Sequence, residues 1–140
     1  MIIDRLSKKI VWRYEGSYKG GLSGGHEVHM IPKGFPGAGD ILILDNGTSL
    51  HKNHSIVLQI NPTTNEIVWK YESSNFFTRT RGSVQRLING NTLISEDTTG
   101  RVFEVTPSGK TVWQFKGKLP INRARRYPYN YCPECEKFKD

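Results

Sequence analysis

At 140 residues, 36% hydrophobic and 24% charged, the chain has the balance of one ordinary folded domain rather than a disordered segment. No stretch is apolar for long enough to cross a membrane and MIIDRLSKKIVW lacks a secretory apolar run, so a soluble chain without a membrane partner is expected. The net charge of +7 is partly local, with five basic residues in KGKLPINRARR (116–126); no nucleic-acid-binding motif accompanies them, so they read as a solvated segment rather than a nucleic-acid surface.

In chain order, KKIVWRYE (8–15) predicts a first strand over 10–15, alone, with no partner strands of its own. A glycine-rich stretch, KGGLSGG (19–25), leads to HEVHMIP, DILILDN, SIVLQINP and EIVWKYE, four strand candidates within 26–72. SVQRLIN, NTLISED, RVFEVTP and TVWQFK then supply four more within 83–116, and a basic, cysteine-containing tail occupies 117–140. Pro36-Gly37, Asn46-Gly47, Asn89-Gly90 and Ser108-Gly109 punctuate the series as turns. Helical periodicity of useful length is absent, so the fold class is all-β with about nine strands.

The series repeats. KKIVWRYE, NEIVWKYE and GKTVWQFK share a Trp, a polar residue and an aromatic, and Trp12, Trp69 and Trp113 stand 57 and 44 residues apart. Four short strands per unit, with a period in the forties, predict β-propeller-type blades in preference to a β-sandwich. The three tryptophans are expected in the core, covering the packing between neighbouring blades. Two blades and one extra strand make an incomplete ring, because propellers close with about four to eight blades. Its open faces are expected to drive self-association or to take missing blades.

The titratable residues divide by spacing. His26 and His29 are three apart on a predicted strand, so alternation puts them on opposite faces and excludes a shared metal. His51 and His54, in HKNH, are expected in an exposed loop, merely solvated. Cys132 and Cys135 form a single CPEC whose nearest histidine is 78 residues away. Zinc usually needs four ligands, so two free or loosely paired thiols are expected, then a disulfide, and zinc last.

The order HEVHMIP, GDILILDNG, VLQINPTTNEIVWKYE, GSVQRLINGNTLISED, RVFEVTPSGKTVWQF resembles the arylsulfotransferase family over about residues 10–133. The most specific element is a histidine opening a strand that leads to a (F/L)DNG turn, here His26 and Leu44-Asp45-Asn46-Gly47; the tail RARRYPYNYCP is also similar to family members. The resemblance implies a six-bladed propeller of a bacterial aryl-sulfate sulfotransferase, this chain being a C-terminal portion. It implies sulfuryl transfer from an aryl sulfate to a phenolic acceptor, with no nucleotide sulfate donor and no cofactor. The family's transient sulfohistidine matches His26, as a neutral imidazole nitrogen is a competent nucleophile near neutral pH.

Further histidines and an arginine of the family lie on earlier blades that this chain does not carry. Asn46, Arg81 and Arg86 are the expected substrate-binding residues, with Arg79 adding positive charge. Alignment of the two units on Ile31 and Ile88 places Ser83 at the position of His26 and Arg86 at that of His29. A non-catalytic binding module is the second reading. The third is a quinoprotein-like repeat, for which Asp45, Asn46, Glu96 and Asp97 are the clustered ligand candidates. The sequence names no compartment.

Overall fold

The computed structural model describes residues 1–47, 51 and 53–138. Among them are ten strands in three antiparallel sheets and no α-helix. β1 (Ile2–Ile3) and β2 (Ile10–Trp12) form a hairpin. β3 (Gly25–Met30), β4 (Ile41–Asp45), β5 (Ile56–Ile60) and β6 (Ile67–Glu72) make a four-stranded meander. β7 (Ser83–Arg86), β8 (Thr92–Glu96), β9 (Arg101–Val105) and β10 (Thr111–Lys116) make a second. The eight strands expected in the two units are thus all present. The first strand is shorter than 10–15 and is not alone, because the chain folds back after β1 to pair Ile2 with Trp12.

Burial explains the composition of each strand. ILILD in β4 and IVLQI in β5 are buried throughout, because both faces of the first sheet are covered. On one face Leu42, Leu44 and Val57 meet Val84, Ile94, Phe103 and Val105 of the second sheet, with Tyr71, Phe76 and Phe103 in mutual ring contact. On the other, Ile41, Ile43, Ile56, Leu58 and Ile60 lie under Ile2, Trp12, Tyr14 and Tyr18 of the N-terminal segment. Alternation along each strand sends neighbouring side chains to opposite faces, so a strand covered on both sides is largely apolar.

The three tryptophans are not equivalent. Trp12 donates its indole N–H to Asn65 Oδ1 at 2.9 Å, in the β5–β6 turn. Trp69 donates to the carbonyl of Pro107 at 2.8 Å, in the corresponding β9–β10 turn. Each is half-buried against the sheet that follows its own strand. Among the described residues Trp113 has no such sheet beside it, and it is 44% exposed, which corrects its expected place in the core.

The tail instead lies over part of that face. Arg126 stacks over Trp113 at 5.1 Å and pairs with Glu104, as Arg86 stacks over Trp69 at 4.8 Å and bonds Gln59. Gln59 and Glu104 are equivalent, each paired in register with its sheet's Trp. Ala124 and Arg126 bond the side chains of Ser83 and Gln85 through their backbones. Residues 124–126 therefore supply to the second sheet what β7 supplies to the first. Beyond them the backbone turns through short 3-10 segments at Tyr129–Tyr131 and Pro133–Phe138. Cys132 is disulfide-bonded, which overturns the expectation of free thiols; spacing alone carries no information on the tail's turned backbone. The side chain of Cys135 lies outside the described residues.

Candidate functional site

His26 is the extra residue of a β-bulge. Gly25 pairs with Asp45 and Glu27 with Leu44, so β3 advances two residues while β4 advances one. A bulge bends its strand and re-aims the inserted side chain, and such irregularities concentrate beside active sites. Simple alternation cannot be counted through it, which removes the basis for assigning His26 and His29 to opposite faces. The His26 side chain is exposed and has no hydrogen-bond partner among the described residues.

The bulge also corrects the alignment of the two units. Leu44 of β4 and Ser95 of β8 are equivalent, and they pair with Glu27 and Ser83. Ser83 therefore corresponds to Glu27, Arg86 to Met30, and His26 has no counterpart.

Asn46 joins the approaches to the two sheets. Its backbone N–H donates to Gly24 O at 3.1 Å, two residues before His26. Its side-chain amide donates to Thr78 O at 2.7 Å and Arg81 O at 2.9 Å. Both amide hydrogens are thus committed to backbone, and the residue is buried. The Arg81 side chain is more than half exposed, 3.8 Å from Asp97 Oδ1. His26 and Arg81 consequently stand at the same end of the sheets, pinned to one clamp.

Arg86 does not join them. It closes β7 at the opposite end from Arg81, buried, donating to Gly90 O at 2.8 Å and to Gln59. Burial lowers its pKa, opposed by Asp40. Its guanidinium lies between the sheets, apart from the end that carries His26 and Arg81.

The structure adds residues that sequence reasoning passed over. Glu27 is buried, bonded to Arg125 and 3.6 Å from Arg123 Nε, so the RARR segment is tied into the fold rather than simply solvated. His29 Nδ1 lies 3.7 Å from Glu27 Oε1. Burial lowers the His29 pKa, Glu27 opposes that shift, and Arg125 and Arg123 add to it. His51, expected in solvent, is only 7% exposed and sits against Asp45, whereas His54 is exposed as expected. A histidine four residues past the Asp45-Asn46-Gly47 turn was the available signal.

The ligand candidates of the quinoprotein reading are committed to the fold. Asp45 is fully buried and accepts from Ser23 N and Gly47 N, while Glu96 is held by Thr99 and Arg101. Among the described residues no three metal-ligating side chains converge.

A family model described as arylsulfotransferase (ASST) matches residues 1–118. The chain belongs to the arylsulfotransferase family. No curated protein matches it. The arylsulfotransferase match spans the hairpin and both four-stranded sheets, including His26, Asn46, Arg81 and Arg86. It stops before Arg123, Arg125 and the tail tyrosines, so the likeness noted in RARRYPYNYCP lies outside it. Membership gives a sulfotransferase-like kind of function, with aryl sulfates and phenols as the substrate classes.

Proposed function

We propose that the two four-stranded sheets are neighbouring blades of a β-propeller that transfers a sulfuryl group from an aryl sulfate to a phenol through His26. The observation that carries this reading is the bulge: it presents an exposed imidazole, without a hydrogen-bond partner among the described residues, at the sheet end where the Asn46 clamp also holds Arg81. In the first step a neutral imidazole nitrogen attacks sulfur, an N–S bond forms, and the S–O bond to the aryl group breaks with its electron pair leaving on the phenolate. In the second step an acceptor phenol oxygen attacks the same sulfur, loses its proton to solvent, and frees the imidazole. Arg81 supplies positive charge to the sulfate oxygens, and Asn46 acts by holding the Arg81 backbone rather than by touching substrate.

The repeated Trp-to-turn hydrogen bond supports the blade assignment, since one sheet contact recurs at Trp12 and Trp69. Val28 and Met30 at one side, and Trp113 and Phe115 at the other, leave apolar surface for further blades or a second copy. Transfer is tested by mixing the protein with 4-nitrophenyl sulfate and phenol and following nitrophenolate and phenyl sulfate. Parallel double-reciprocal lines are expected for the two-step route. A folded protein that binds both compounds and transfers nothing would favour the binding-module reading instead.

A further inference from the structure

We infer that His51 is a positioning residue for His26: with Asp45 it pins the glycine-rich segment that delivers His26 to its bulge. The inference rests on the reading of His26 as the nucleophile. His26 has no hydrogen bond of its own among the described residues, so its place depends on the backbone entering β3. That backbone is held at three successive points. Gly21 O lies 3.0 Å from His51 Nε2, Ser23 N donates to Asp45 Oδ2 at 2.8 Å, and Gly24 O accepts from Asn46 N at 3.1 Å.

The intervening glycines make the pins necessary. Gly21 and Gly24 have φ of 102° and 129°, a region open to glycine and costly to other residues, and such a segment has much conformational freedom to lose. His51 lies beside Gly47 of the Asp45-Asn46-Gly47 turn. Gly47 has φ of 66°, and a Cβ there would meet His54 O at 2.0 Å and His51 Cβ at 2.9 Å. Gly47 therefore needs to be glycine for His51 and His54 to sit this close to the turn. His51 Nδ1 faces Asp45 Oδ2 at 3.6 Å, with both side chains buried.

His51→Phe and His51→Gln separate positioning from bulk. Gln retains an N–H able to donate to Gly21 O, and Phe does not. Amide exchange at Ser23 is expected to quicken about tenfold in His51→Phe, as for loss of one buried hydrogen bond, with β5 and β8 amides unchanged. Sulfuryl labelling of His26 by 4-nitrophenyl sulfate should slow by a similar factor, with the donor concentration at half-saturation unchanged. His51→Gln should restore most of both. Unaltered Ser23 exchange in His51→Phe would overturn the inference, as would an equal rise across both sheets. If the wild-type chain takes no label at His26, the nucleophile reading fails by itself, and Ser23 exchange still decides whether His51 holds the segment.

Discussion

The indole N–H of Trp69 donates to the carbonyl of Pro107 across 2.8 Å, tying the last strand of one sheet to the last turn of the next. Trp12 makes the same kind of contact one unit earlier, with Asn65. Trp113 makes none among the described residues. The first two turn a sequence repeat into a physical one, because the indoles of Trp12 and Trp69 each close the seam between their own strand and the sheet that follows.

Trp69→Ala should therefore cost about 3 kcal/mol of stability, from a lost ring in a partly collapsible site. Trp113→Ala should cost under about 1 kcal/mol, since its exposed ring gives up little burial. Urea unfolding of both variants measures the contrast, and equal losses would break the seam account.

Asn46 provides a second stability test. Asn46→Ala removes one donor from each of the Thr78 and Arg81 carbonyls, leaving Ser55 Oγ beside the first and Thr78 Oγ1 beside the second. The expected loss is about 1–3 kcal/mol. Faster amide exchange should be confined to residues 78–82 and the segment before His26. A substitution without effect on either would deny that Asn46 couples the two sheet ends.

Much of this arrangement was legible in the sequence. Alternating or continuous apolar runs between Pro, Gly and Asn turn formers located all eight strands of the two units. The bulge at His26 was not legible, because a register shift is set by pairing across strands and leaves no mark on composition. The Arg125–Glu27 contact joins residues 98 positions apart, beyond any local pattern. His51 sat in a polar stretch, HKNH, where local polarity signalled solvent while the fold supplied a buried carboxylate.

His29 should make stability depend on pH. Its ordinary value is 6.5 and burial depresses it in the folded protein, so the unfolded chain binds the proton first. The contribution is complete above pH 6.5 and declines as pH falls through the folded value. His29→Gln should flatten the loss just below pH 6.5, and the wild-type ring should titrate by NMR with a midpoint under that value. A midpoint above it would contradict the burial.

Glu72 governs the N-terminal segment in acid. Lys19 is the main cause that holds its carboxyl at about 2, with Tyr18 and Lys70 adding to the shift. Its contribution is present above pH 4.5 and fades as pH falls toward about 2. Proteolysis within residues 14–20 should rise over that window, and Lys19→Ala should move the rise to higher pH. Acid resistance unchanged in Lys19→Ala would place the anchorage elsewhere.

The most direct test of the account is a covalent one. The protein is incubated with 4-nitrophenyl sulfate, quenched under alkaline conditions that preserve a nitrogen–sulfur bond, and mapped by peptide mass spectrometry. The account predicts one sulfuryl group on His26, released by acid or by added phenol, lost in His26→Ala and slowed in Arg81→Ala. Label on another residue, or label that persists in His26→Ala, would contradict it.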